Sequence, residues 1–266
     1  MSNIPAKIEN RIKCNLKTIQ KKAEKALSCD VSEAQTISAV VKPFLTDILG
    51  YDEFEDLTDQ YVVRGTFCDI AIKANGKPYI MVEAKAVGVT LKDAHAKQAK
   101  DYGINSGVQW IVLTNGIDWN IYKIIFKKDG VSEELVLTFR LTDLDTRKDE
   151  DKKKIFYLCK EAILKSEIEN LYEEKKATNR YLIGNLLLKK DFINLMRREL
   201  KKLFPDTNIS PDAIQTILKE EVIRRDIFET PETSEAVKLI EKAGRKEARA
   251  KAKKEKNTEE NISLED

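Results

Sequence analysis

A single histidine, His95, serves the whole chain of 266 residues. Nucleases, phosphatases and metal sites built on two or more histidines are therefore excluded, and hydrolytic chemistry here must rest on carboxylates and lysine. His95 falls on a helical segment, where it reads as a surface or boundary residue, and no Gly-x-Ser-x-Gly elbow accompanies it. Cysteine is equally sparse: Cys14, Cys29, Cys68 and Cys159 are scattered and form no Cys-x-x-Cys pair, which argues against a zinc site or a disulfide framework. No apolar run approaches the ~20 residues needed to cross a membrane. The mean hydropathy is −0.44, and the N-terminus runs straight into the mixed charges Lys7, Glu9, Arg11 and Lys13 rather than a signal peptide, so the expected location is cytoplasmic, with no membrane partner. Excess charge of one sign is missing too. With 47 basic and 45 acidic residues the net charge is +2, so bulk charge does not mark a nucleic-acid binder.

What the chain does have lies between Asp69 and Tyr102. Phe67 to Lys73 and Tyr79 to Lys85 are short apolar, β-branched runs separated by Asn75-Gly76, a dipeptide suited to the positive φ angles of a tight hairpin turn. Side chains alternate along a strand, so Glu83 and Lys85 share a face, and a turn of two or three residues sets Asp69 opposite Glu83 or one residue from it. Acids inside apolar strands are costly unless they are paired or coordinate a metal. Two such carboxylates can share one hard cation, Mg²⁺ or alternatively Mn²⁺, because Mg²⁺ is usually held by one or two carboxylates together with substrate phosphate. The Glu-x-Lys triplet alone is common in a chain that is 35% charged: Glu173-Glu174-Lys175 and Glu199-Leu200-Lys201 also fit it. The preceding strand acid and the hairpin distinguish Glu83-Ala84-Lys85.

After Lys85, Thr90 is a candidate cap for a helix from Leu91 to about Asn105. Gln98 and Tyr102 stand four apart and project from one face, where an amide and a phenol can bind a phosphate or a base edge beside the metal. An amphipathic surface helix can carry the same pair without that role.

Together these residues resemble a known family. Glu33, Leu49-Gly50-Tyr51, Gly65 to Asp69, Val82 to Lys85, Gln98 to Tyr102, and Leu113 to Gly116 followed by Trp119 and Tyr122 make the segment from about Ser32 to Lys123 similar to the N-terminal nuclease domain of type I restriction enzyme R subunits, a branch of the PD-(D/E)XK nuclease superfamily. The resemblance implies an α/β, restriction-endonuclease-like core with a central mixed sheet flanked by helices. It implies Asp69 and Glu83 as metal ligands, Lys85 as the catalytic lysine, and Gln98 and Tyr102 as a QxxxY motif that orients DNA or supports the lysine. Glu33 can approach the metal from its helix in such nucleases, although an acid directly after Ser32 also suits the helix dipole. Cys68 stands where the superfamily name has proline. R subunits carry an ATP-driven translocase, whereas this sequence has no Gly-x-x-x-x-Gly-Lys-Ser/Thr phosphate loop, so the expectation is a nuclease that acts by itself or with a separate motor or specificity partner.

Along the chain, Ile8, Ile12, Leu16, Ile19, Ala23 and Leu27 keep helical spacing, a capping box Ser32-x-x-Gln35 opens a second helix, and Pro43 divides it. Expected strands are Asp59 to Arg64, Phe67 to Lys73, Tyr79 to Lys85, Gln109 to Thr114, Asp118 to Ile124 and Glu134 to Arg140, with turns at Asn115-Gly116 and Lys127 to Gly130. Three parts result: a nuclease-like domain with N-terminal helices over 1–146, a helical accessory or oligomerisation region over 147–244, and a charged, disordered tail over 245–266. In the second part Leu182, Ile183 and Leu186 to Leu188 open an apolar stripe continued by Phe192, Leu195 and Met196. The basic run that contains Lys246, Arg249 and Lys253 suits a phosphate backbone. The expected activity is a Mg²⁺-dependent endodeoxyribonuclease of the restriction-modification type. The alternative is a non-catalytic nucleic-acid-binding or assembly protein that retains the fold, and metal-dependent cleavage separates the two.

Overall fold

The computed structural model describes residues 4–127 and 130–262, and the side chains of all of these except 247, 248 and 250–262. The turn expected at Lys127 to Gly130 includes Lys128 and Asp129, which lie outside the described residues. Two compact units divide the chain, Met1–Tyr172 and Glu173–Asp266. Among the described residues no helix is long and apolar enough to cross a membrane.

The first unit is built on a six-stranded sheet in sequential order: β1 (Leu57–Val63), β2 (Thr66–Ala74), β3 (Lys77–Ala84), β4 (Trp110–Thr114), β5 (Asp118–Lys127) and β6 (Gly130–Arg140). All neighbours are antiparallel except β3 and β4, which are parallel. A parallel pair needs a crossover, and helix α3 (Asp93–Ser106) supplies it. The sheet is thus mixed, as the resemblance implies. The first hairpin turns at Arg64-Gly65 and the second at Asn75-Gly76, all four residues having positive φ, as two-residue turns that match strand twist require.

One irregularity decides the position of the carboxylates. Lys73 pairs with Pro78 and Ala74 with Lys77, but beyond them Ile72 pairs with Ile80, so Tyr79 is an extra residue, a bulge in β3. Without it Asp69 would face Val82. With it, the register Ile70 to Val82 sets Asp69 across from Glu83. Tyr79 is held from outside the sheet: its hydroxyl donates to Glu169 Oε1 on α6 (Glu167–Ala177), which also accepts from Trp110 Nε1 at 2.7 Å.

One face of the sheet, with Ile70, Ile72, Ile80, Val82 and Ala84, packs under α1 (Ala6–Ser28) and a broken helix that follows it. The α1 stripe runs Ile8, Ile12, Leu16, Ile19, Ala23 and ends on buried Ala26, while Leu27, one residue before the helix ends, is exposed. The broken helix begins as α2 (Glu33–Thr36), capped by Ser32 and Gln35 as its sequence indicates, and widens into π-helical turns over Ile37–Val41 and Phe44–Ile48 on either side of Pro43. Proline lacks an N–H and crowds the preceding turn, so a wider turn accommodates it. At the centre of this layer Trp119 stacks on Phe139 and Phe44 tilts against both. The other face holds Ala71, Met81 and Ile111 against Ala99 and Tyr102 of α3. That helix starts at Asp93 rather than Leu91: the Lys92 N–H is met by His95 Nδ1 at 3.3 Å, and Thr90 makes no cap.

The first unit runs past residue 146. Along α4 (Asp149–Phe156), α5 (Lys160–Ile163), its cap Cys159, and α6, the residues Ile155, Cys159, Ala162, Ile168 and Tyr172 are buried in the same core as α1 and the sheet. In the second unit α7 (Arg180–Leu187), α8 (Lys190–Leu203) and α9 (Pro211–Ile217) surround Ile193, Ile214, Leu218, Ile223 and Ile227. The break at Leu188-Lys189 shifts the phase of the stripe, so α8 buries Ile193 with Met196 and Leu200 against it, while Phe192 and Leu195 are exposed. Helix α10 spans Pro231–Ile262, so the tail expected over 245–266 is helical as far as 262, and 263–266 lie outside the described residues. From Arg245 to Lys256 the run is Ala, Lys, Arg and Glu, all strong helix formers, and neither glycine nor proline follows before Ile262.

Glu169 is predicted to anchor the bulge. Glu169→Ala leaves the Tyr79 hydroxyl and the Trp110 indole without their shared acceptor and should lower stability by on the order of 2–3 kcal/mol, read as a fall in denaturant midpoint at constant m. An unchanged midpoint would show that neither donor needs it.

Candidate active site

Glu83 stands near the C-terminal end of β3 and is only 3% exposed. Its Oε1 accepts from Lys85 Nζ at 2.6 Å, while Oε2 is buried and has no hydrogen-bond partner among the described residues. Asp69 lies across the β2–β3 ladder and is half-buried, with Oδ2 accepting from the Ala84 N–H at 2.8 Å. Lys85 Nζ also lies 3.8 Å from Glu33 Oε2 at the start of α2. Gln98 Nε2 donates to the Tyr102 hydroxyl at 3.2 Å on α3. The structure therefore joins Glu83, Lys85 and Glu33 by ion pairs. Asp69 and the Gln98–Tyr102 pair are close enough for the charges of Asp69 and Glu83 to act on the tyrosine.

The loop after β3 is clamped from two sides. The Lys85 N–H donates to Thr114 O at 2.8 Å, which extends the parallel pairing of β3 and β4 by one residue. Two residues on, the Val87 N–H donates to Thr36 Oγ1 at 3.1 Å, and that hydroxyl donates to Ser32 O at 2.9 Å. The loop's far end is held by Asn115, whose Nδ2 donates to Val89 O at 2.9 Å while its Oδ1 accepts from the Ile117 and Asp118 N–H groups. Thr36 ties the helix that bears Glu33 to the loop that bears Lys85. Sequence reasoning does not find Thr36, because its partner is 51 residues away and a helical threonine carries no local signal; Asn115 is visible only as a turn residue.

Electrostatics follow from burial. Desolvation pushes the Glu83 carboxyl up to about 7; Lys85 opposes the shift, and the negative charges of Asp69 and Glu33 add to it. Burial raises Asp69 as well, against the pull of the Ala84 N–H and Lys85. For Lys85 burial is the largest influence and works downward, but the bond to and charge of Glu83, with the charges of Glu33 and Asp69, together outweigh it and its pKa is raised. Tyr102 is raised by burial, with Glu83, Cys68 and Asp69 adding to the shift and Gln98 opposing it. At the position of the superfamily's proline, the Cys68 thiol is buried and donates to Val82 O at 3.2 Å, so it ties β2 to β3; burial pushes it up to about 12.

The donor set suits a hard cation. Glu83 Oε2 is a buried carboxylate oxygen without a partner, a condition that costs free energy unless an ion or proton meets it. Among the described residues no cluster of three or more His, Cys, Asp or Glu side chains is arranged to hold an ion. Asp69 and Glu83 are then a two-carboxylate set, and Glu33 meets the cluster through its ion pair with Lys85. Two carboxylates meet the requirement of Mg²⁺, which keeps several waters or substrate oxygens.

A pH-dependent prediction follows. Glu83 binds its proton more tightly when folded, so protonation stabilises the fold fully below the ordinary carboxyl value of 4.5, and that contribution is lost as pH rises through about 7. In metal-free protein Glu83→Gln should raise stability at pH 8 by on the order of 3 kcal/mol and change little at pH 4.5. Thermal melts at the two pH values test this; an equal shift at both would contradict it.

The comparisons with known proteins agree with this architecture. No curated protein and no solved structure gives a match. A family model described as "Type I restriction enzyme R protein N terminus (HSDR_N)" matches residues 44–135, which include β1 to β5, α3, Asp69, Glu83, Lys85, Gln98 and Tyr102, and begin after Glu33. Residues 44–135 are thus similar to the type I restriction enzyme R protein N-terminal domain, which is PD-(D/E)XK nuclease-like.

Proposed function

We propose that this protein is a divalent-metal-dependent nuclease that hydrolyses phosphodiester bonds in DNA. The observation that carries the reading is the buried, unpartnered Glu83 Oε2, with Asp69 across the ladder and Lys85 Nζ 2.6 Å from the other Glu83 oxygen, inside a nuclease-like domain. Asp69 and Glu83 would hold Mg²⁺, or Mn²⁺ in its place. When bound, the ion supplies Lewis-acid polarisation of a phosphate oxygen and lowers the pKa of a coordinated water.

The chain's own residues do the rest. Lys85 keeps an ammonium inside the cluster, where it orients the attacking water and offsets charge that develops on the phosphoryl group. Gln98 presents an exposed amide beside the Tyr102 hydroxyl, and the pair positions the scissile strand. On α10, Lys246 and Arg249 are exposed and add affinity for phosphates that is independent of sequence. Lys253 would extend that row, but its side chain lies outside the described ones. Exposed Phe192, Leu195, Leu203 and Phe204 on and just after α8 give the second unit an apolar face suited to a second copy or to a separate motor or specificity subunit.

Asp69→Ala or Glu83→Ala should abolish Mg²⁺-dependent DNA cleavage in a folded protein, and EDTA should do the same to the wild type. Lys85→Ala should cut the single-turnover rate at least ~100-fold while metal and DNA binding persist, because the ammonium acts mainly where charge develops. Wild-type rates in any of the three variants would remove that residue from the mechanism. Deletion of residues 242–266 should flatten the dependence of DNA affinity on salt, since each lysine or arginine that neutralises a phosphate releases counterions. Parallel salt slopes for full-length and truncated protein would exclude this segment from DNA contact.

A further inference from the structure

The tip of the β1–β2 hairpin carries a surface that its own fold does not explain. Val62 and Phe67 are cross-strand partners, and they are 61% and 54% exposed. Their neighbours Val63 and Cys68 are buried in the small core beside Ala99 and Tyr102, so the hairpin is fixed against α3 while the apolar pair faces outward. Phe67 precedes Asp69 by two residues on β2, about 7 Å along the strand.

The turn itself points the same way. Arg64 and Gly65 have φ of +45° and +85° and join Val63 to Thr66. Asparagine, aspartate or glycine satisfies the first position of such a turn at least cost, whereas arginine must take a left-handed conformation that its Cβ disfavours. Its hydrogen bond is a long one, 3.4 Å to Asn105 Oδ1, at an exposed site. Turn stability gives no reason for an arginine here, and backbone strain of this kind gathers at functional positions. A cation, an aromatic ring and a β-branched support together, next to a candidate phosphodiester-cleaving cluster, match the chemistry of a nucleic-acid strand: guanidinium to phosphate, ring to base.

We infer that the β1–β2 hairpin tip is a nucleobase-stacking subsite, in which Phe67, backed by Val62, receives one unstacked base and Arg64 holds a neighbouring phosphate. The inference rests on the nuclease reading of Asp69, Glu83 and Lys85 and extends it to the substrate. A regular duplex has no free base face to offer, so the subsite selects single-stranded DNA, or duplex opened by a flap, gap or mismatch.

The test uses the full chain and one labelled oligonucleotide, as a single strand and as a perfect duplex. Binding is measured in EDTA, where nothing is cut, and cleavage separately in Mg²⁺ and Mn²⁺. Phe67→Ala should weaken single-strand binding on the order of 10- to 100-fold, the range for loss of one stacked base, with little effect on the duplex. Phe67→Leu keeps the apolar contact with Val62 and should lose affinity like Ala, while Phe67→Trp should retain it. Arg64→Asn should hold or raise the melting temperature and still weaken binding severalfold, a combination that a purely structural arginine would not give. Wild-type affinity in Phe67→Ala and Phe67→Leu overturns the inference, as does a wild-type dimer that Phe67→Ala dissociates without altering DNA affinity. Cleavage that does not depend on Phe67 leaves the nuclease reading in place and removes the subsite. Phe67-dependent binding without any metal-dependent cleavage does the reverse.

Discussion

The proposed cation site depends on one residue of register. A strand alternates its side chains, so a slip of one position between β2 and β3 would bring Asp69 opposite Val82 and separate the two carboxylates. The bulge at Tyr79 prevents that slip, and Glu169 holds Tyr79 from a helix ninety residues further along the chain. The start of α6 thus belongs to the first unit and bears on how its strands pair. The helices after β6 do not simply follow the sheet; one of them fixes how its central strands pair.

The same arrangement places free energy against the fold. Glu83 is buried with one oxygen unpartnered, and burial raises its pKa even though Lys85 sits on the other oxygen. An isolated fold gains nothing from this. A protein that meets a cation does, because the desolvated carboxylate is already in position and little reorganisation is needed when the ion arrives. Thr36 and Asn115 clamp the loop after Lys85 at both ends, which fixes the backbone that carries the lysine.

Much of this was legible in the residues. The six strands read from β-branched runs and turns, and Asn75-Gly76 announces its hairpin because both residues tolerate positive φ. The pairing of Asp69 with Glu83 was legible only to within one residue, since the bulge that decides it depends on a distant glutamate. Other features were hidden for similar reasons. Arg64-Gly65 does not look like a tight turn, because arginine is an uncommon choice for it. The membership of α4 to α6 in the first unit depends on what Ile155, Cys159 and Ile168 touch, and an amphipathic stripe does not name its partner. The charged run after Gly244 has the composition of a solvated tail and also that of a good helix, and in the structure the helix extends to Ile262.

The central claim is that Asp69 and Glu83 form a cation site, and it can be tested without DNA or catalysis. Mn²⁺ titrated into the protein and followed by electron paramagnetic resonance reports free and bound ion directly. The account predicts saturable binding to the wild type that is lost in the folded Asp69→Ala/Glu83→Ala double variant. Unchanged stoichiometry and affinity in that variant would contradict it.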